Sequence, residues 1–235
     1  MRQTAKHLVI LFVLLIASGC AQTSVLTPAG KTFPADKSDR ILLMPPDIEL
    51  SEMTASGMLE PRANWTASGL TNVTAALTEE LKAQHDTLVR YEEPPEGSVE
   101  LHEHHQIIKL HEVVGNSILL HKYSPYLQLP TKENTFDWSL GQTVTTFKKK
   151  PGADYALFIF MRDSYASGGR VALGVVLAVA GIGVPMGRQV GFASLVDLQT
   201  GEIVWFNRMI SAKGDLRRPG PARISVKRLL ADFPL

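Results

Sequence analysis

The chain has 235 residues, 45% of them hydrophobic, and 24 Lys and Arg face 23 Asp and Glu. A net charge of +1 excludes the basic field that a nucleic-acid surface needs. A single cysteine, Cys20, excludes a disulfide framework.

The N-terminus reads as an address. Arg2 and Lys6 precede the apolar run Leu8 to Ile16, "LVILFVLLI". That run is short of the roughly 20 residues a helix needs to cross a bilayer, and it suits the apolar region of a signal peptide. It is followed by "ASGC", small residues ending in Cys20. This ending resembles the lipobox of bacterial lipoproteins, with Ala17 where that family most often has Leu. The resemblance implies a signal peptide over 1–19 and lipidation of Cys20 as the first mature residue. It implies membrane attachment through that lipid. A thioether to lipid would also remove the lone thiol, a liability outside the cytosol. Position 21 is Ala, not the Asp that favours inner-membrane retention in such proteins, so the outer membrane, periplasmic side, is implied. The alternative is an ordinary secretory signal with an accidental cysteine. Loss of Arg2 and Lys6 with the signal leaves the body close to neutral.

Residues 20–38 are expected to be the lipidated cysteine and a flexible tether, and 39–235 a single periplasmic domain. Arg40 to Met44 reads as a short buried strand stopped by Pro45-Pro46, and 47–63 as an irregular loop. Leu70, Val73, Leu77 and Leu81 lie at helical spacing within a helix from Asn64 to His85. Leu88 to Tyr91 reads as a short strand. Val99 to His121 reads as a long helix with a stripe of Ile107, Leu110, Val114, Ile118 and His121. Asp137 is placed to cap a short helix carrying Leu140, Val144 and Phe147. Tyr155 to Tyr165 is β-rich and apolar, as in a central strand. Residues 189–210 read as a hairpin turning at Gln199-Thr200-Gly201, and Ile224 to Phe233 as a closing helix. The order predicts an α+β fold, with a mixed or antiparallel sheet covered by helices on one face.

Chemistry is sparse. "HEHHQIIKLHE" holds His102, His104, His105 and His111, yet the i, i+4 histidine pair of a helical zinc site is absent. No metal or other cofactor is expected, and a solvated polar helix face is the simpler reading. Asp163, between Arg162 and Arg170 in "RDSYASGGR", could form a buried ion pair or a ligand contact. A periplasmic hydrolase using Asp163 and a histidine is the enzymatic alternative. "GIGVPMG" has its third glycine one place too late for dinucleotide binding, and Pro185 sits inside the expected helix start.

The unusual feature is "GRVALGVVLAVAGIGVPMGR", uncharged between Arg170 and Arg188. As extended chain, Val171, Leu173, Val175, Leu177 and Val179 share one face. As a helix, Gly174, Ala178 and Gly181 form a small-residue stripe. Either form presents an apolar surface between two strands, with Ile182 continuing it. Three covers are open: the domain's own core, a protein or second copy, or lipid.

"LPTKENTFDWSLG", "ADYALFIFMRDSYASGGR" and "GFASLVDLQTGEIVWFN" together resemble a family of Gram-negative outer-membrane lipoproteins. More loosely, the lipobox and the strand–apolar insertion–strand unit resemble curli-secretion lipoproteins and lipoprotein activators of peptidoglycan synthases. The resemblance carries over no activity; the expected function is that of a non-enzymatic, outer-membrane-anchored docking or assembly component, its partner an envelope protein or further copies of itself. It would bind through the segment bounded by Arg170 and Arg188. A self-assembling secretion or pore component inserting apolar hairpins is the alternative.

Overall fold

In the computed structural model of the chain, residues 22–30, 33, 39–82, 88–132, 135–148 and 152–234 are described. The segment 1–19, expected to be a signal peptide, and Cys20 lie outside them. The strands and helices, in chain order, are β1 (Gln22–Leu26), β2 (Ile41–Leu43), β3 (Asp47–Met53), β4 (Leu59–Pro61), α1 (Ala63–Lys82), β5 (Leu88–Arg90), α2 (Val99–Tyr123), β6 (Tyr155–Ala166), α3 (Gly168–Val179), β7 (Gly187–Asp197), β8 (Ile203–Ser211) and α4 (Pro219–Leu229). Among the described residues, no helix is long and apolar enough to cross a membrane.

β6 organises the sheet. Its run of apolar residues is buried on both faces, the pattern of a strand with a layer on each side. The strand order is β1-β8-β7-β6-β2-β5, with β3 also on β6 and β4 on β3. β6, β7, β8 and β1 run antiparallel, while β2 and β3 lie parallel to β6, so the sheet is mixed. β2 follows the first part of β6, Ile41↔Tyr155, and β3 the later part, Asp47↔Phe160 to Met53↔Ala166. Pro45-Pro46 separates them because a proline has no N–H to give the ladder. The residues 47–63 are therefore not an irregular loop. The alternation of buried Ile48 and Leu50 with exposed Glu49 builds β3, and the chain folds back as β4 before α1 starts.

Side-chain alternation on β6 divides the core. Leu157, Ile159 and Met161 join Val73, Leu77 and Leu81 of α1 and Val226 and Leu229 of α4. Ala156, Phe158 and Phe160 join Ile107 and Ile118 of α2, with Val144, Phe147, Phe192 and Phe206. Helices thus cover both faces, not one. Each face of the central strands is apolar and needs its own cover. Residues 142–148 form a 3-10 turn, and Leu140, Val144 and Phe147 are buried as expected. Asp137 does not cap it; its carboxylate accepts from Lys132 Nζ at 2.9 Å.

α4 begins at Pro219, five residues before the sequence reading. Proline is preorganised for the first helical position, where no intrahelical N–H bond is lost. The β7–β8 turn is as predicted. Gly201 has φ +77°, and a Cβ there would lie 2.2 Å from the Gly141 carbonyl oxygen. The expected tether is shorter than 20–38, because Gln22–Leu26 pairs with β8 from Gln22↔Ile210 to Leu26↔Phe206.

α2 lies close on the sheet at Gly115, where a Cβ would come 2.1 Å from the Phe192 ring. That ring cannot swing away, because it stacks on Phe160 and Phe206 with centroids 4.7 and 5.4 Å apart. Gly115→Ala gains about 1 kcal/mol of helix propensity and costs about 1–3 kcal/mol of overpacking. Urea denaturation should show a lower midpoint for the variant, against the propensity trend.

Candidate functional site

The apolar segment folds as a helix because its ends are capped. Ser167 Oγ accepts from the Arg170 N–H at 3.2 Å. At the far end Gly181, φ +77°, donates to the Ala178 carbonyl at 3.0 Å, and Ile182 N–H donates to the Leu177 carbonyl at 3.0 Å. This double closure is the Schellman arrangement, which leaves few helix-end carbonyls free.

The segment is not the domain's own core. Val175, Val176 and Val179 are 64%, 67% and 90% exposed, and Val171, Leu173 and Ile182 are exposed as well. Leu177 is half-buried, and along α3 only Arg170 and Gly174 are buried. Gly174 lets the returning chain lie against the helix, since a Cβ there would meet Met186 and Val184 side-chain atoms. Fully burying one Val or Leu is worth about 1.5–3 kcal/mol. An isolated domain forgoes that at several neighbouring positions.

Arg170 turns inward instead of marking an exposed boundary. Its Nε donates to the Pro185 carbonyl at 2.7 Å, and its Nη1 lies 3.5 Å from the carbonyls of Thr54 and Ala55. It ties the helix base, the returning chain and the β3–β4 turn together. That turn presents Met58 and Leu59, both exposed. Arg188 is exposed on β7 beside the base of the segment. Sequence reasoning did not include Met58 and Leu59, since only pairing of Met53 with both Leu59 and Ala166 brings them to α3.

Asp163 is neither in an ion pair with Arg162 or Arg170 nor near a histidine. Its Oδ2 accepts from Tyr165 OH, from Gln189 Nε2 at 2.8 Å and from the Leu216 N–H at 3.4 Å. Gln189 Oε1 in turn accepts from Ser225 Oγ at 2.7 Å, which links β7 to α4. Burial raises the Asp163 pKa, and the three donors act against that rise. Arg162 points to the opposite face, where it meets Asp47 at 2.8 Å and Glu112 at 3.5 Å. Asp163 shares the face of Leu157, Ile159 and Met161, whereas α2 with its histidines covers the other, so the sheet stands between them.

The histidines are not one solvated face. His104 and His111 are buried with Ile107, Gly115 and Ile118 on the inner side of α2. His104 Nδ1 lies 3.0 Å from Tyr91 OH, and His111 Nε2 lies 2.9 Å from Ser194 Oγ. His111 also stacks on Phe158, centroids 4.7 Å apart. His102 and His105 face outward, the first bonded to Gln106 and the second 3.6 Å from Glu93. Among the described residues, no group of three or more His, Cys, Asp or Glu is arranged to hold a metal ion.

Two outcomes test these assignments. Desolvation pushes the His111 pKa down to about 3, slightly opposed by Asp47. The unfolded imidazole titrates near 6.5, so stability is complete above that pH and falls as pH drops towards 3. Unfolding free energy should decline by about 1.4 kcal/mol per pH unit from this group alone. His111→Gln should remove that part of the slope. Arg170→Ala should make residues 168–186 more sensitive to protease while leaving the global urea midpoint nearly unchanged, because α3 adds little to either core. Unchanged cleavage would mean that Arg170 does not hold the helix.

No family model matches the chain, and no curated protein matches it in sequence. Among solved structures, the chain is similar to the PelC dodecamer from Paraburkholderia phytofirmans, at 10% identity and TM-score 0.40 over 90% of this chain and 96% of that one. It is also similar to the LpoB C-terminal domain from Salmonella enterica, at 17% identity and TM-score 0.29 over 78% and 86%. A lipoprotein from Neisseria meningitidis gives 16% identity and TM-score 0.29 over 83% and 97%. Values this low assign neither family nor function, and function is read from this chain's own residues.

Proposed function

We propose that the chain is a lipid-anchored, non-enzymatic component of a Gram-negative cell envelope. Cys20 carries the lipid, and the outer membrane is the site, with the domain facing the periplasm. The protein works by binding, as a docking or assembly component, with the segment from Arg170 to Arg188 as its interaction or membrane segment. The observation that carries this reading is α3, an apolar helix that its own domain leaves uncovered. Exposed apolar surface of this extent marks a place where something else binds.

The hydrolase alternative loses its pair, because Asp163 and the histidines of α2 lie on opposite faces of the sheet. Asp163 has a structural role that accounts for its burial. Asp163→Ala should leave the buried groups of Tyr165 and Gln189 without their acceptor and cost about 1–3 kcal/mol of stability. The self-assembling alternative keeps one supporting observation, the exposure of α3 on more than one side. Its hairpin form gains no support, since the segment is one helix with an irregular return. A ring-sized mass in mild detergent would favour assembly.

The anchor is tested by palmitate labelling of the full chain in a Gram-negative host, with density separation of the two membranes. Label in the parent at outer-membrane density, and none in Cys20→Ala, is the expected result. An unlabelled parent would remove the lipoprotein reading.

A further inference from the structure

We infer that α3 is a second, monotopic anchor, inserted in the lipid leaflet that holds the acyl chains of Cys20. The inference rests on the reading of Cys20 as lipidated, and it names the occupant of the apolar surface as lipid.

Strand register supplies the first argument. Gln22 pairs with Ile210, Ile210 with Val190 and Val190 with Arg162. Tyr165 pairs with Gly187, and Met53 with Ala166. The start of β1, the end of β6 and the start of β7 therefore lie at one end of the sheet. α3 leaves from that end, and Met58 and Leu59 stand there too. Only Ala21 separates Cys20 from β1. An extended residue spans at most about 3.6 Å, so a lipidated sulfur at Cys20 can reach no farther than roughly 10 Å from Gln22 at the start of β1. The bilayer is thus brought to the surface from which α3 projects. A protein partner on α3 would have to wedge between this end and the membrane.

The helix itself suits lipid. Its 12 residues rise about 18 Å, close to half of a hydrocarbon core of about 30 Å. A flat protein surface covers one side of a helix, whereas acyl chains cover every side that the domain leaves open. Val171, Val175, Val176 and Val179 are all exposed, and no charge lies between Arg170 and Arg188. Arg170 is satisfied by backbone carbonyls at the base. Arg188 sits at that same base, at the depth where headgroups would meet it. The far end is closed by Gly181 and Ile182, whose N–H groups bond the Ala178 and Leu177 carbonyls within the segment and so leave fewer polar groups to hydrocarbon.

The test uses the full lipidated chain in phosphatidylethanolamine–phosphatidylglycerol vesicles, with acyl chains either plain or brominated. Val179→Trp reports from the helix tip, where the native side chain is almost fully exposed and its replacement leaves the cores alone. Val99→Trp, on exposed surface at the start of α2, is the control. Each is read as the difference from the parent, which carries Trp65, Trp138 and Trp205. The expected result is blue-shifted emission from Val179→Trp that loses most of its intensity in brominated vesicles, with Val99→Trp unaffected. Water-like, unquenched emission from Val179→Trp would overturn the inference while vesicle-bound protein left the Cys20 anchor standing. Blue-shifted emission without quenching would also overturn it and assign the helix to a protein or a second copy. Palmitate labelling decides the Cys20 anchor separately. An unlabelled chain that still floats and is quenched at Val179→Trp would keep α3 as an anchor by itself.

Discussion

The pairing of β6 with β7 is the constraint on which the other features depend. It runs from Tyr155↔Asp197 to Tyr165↔Gly187 without interruption. A strand buried on both faces needs two layers, and the alternation along β6 sends α1 and α4 to one face and α2 to the other. The same alternation parts Asp163 from His111. The same register also fixes where the apolar segment leaves and re-enters the sheet. A shift by one residue would exchange every inward side chain for an outward one. The position of α3 is therefore set by the core, although α3 contributes little to it.

That division of labour explains the segment's composition. A helix that had to pack on the domain would carry a polar face towards water. α3 has none among its exposed residues, and it is attached by one buried arginine and one glycine. Its sequence is matched to surroundings that the isolated chain does not supply. The polar hub of Asp163, Tyr165, Gln189 and Ser225 does the opposite work. It joins β6, β7 and α4 through buried hydrogen bonds next to the helix base.

Much of the fold could be read from pattern. β6, the β7–β8 turn, α1 and α2 were visible in the runs around Phe158, in Gln199-Thr200-Gly201 and in the helical spacing of Val73, Leu77 and Leu81. β1 was not, because "QTSVL" has no signal of its own and becomes a strand only against β8. β3 carried a short alternation, Ile48 and Leu50, that the neighbouring prolines obscured. Which face of the sheet α2 covers is not in its spacing, and the burial of His104 and His111 is hidden because they look polar. They are buried because each finds a hydroxyl partner, Tyr91 and Ser194, that spacing along α2 does not reveal. For the apolar segment, residue size suited a strand and small-residue spacing suited a helix. Ser167 as N-cap and Gly181 as the closing residue decided the matter, and both stand in the sequence as cues. The partner of α3 was not legible, since periodicity records which surface is apolar and not what covers it.

The most direct measurement is hydrogen exchange of the full chain bound to vesicles, compared with Cys20→Ala chain in solution. The account predicts slower exchange on vesicles in residues 168–186 and 54–59, with the outer face of α2 unchanged. Equal exchange in those two segments, or protection that falls on α2 instead, would contradict the claim that this end of the sheet faces the membrane.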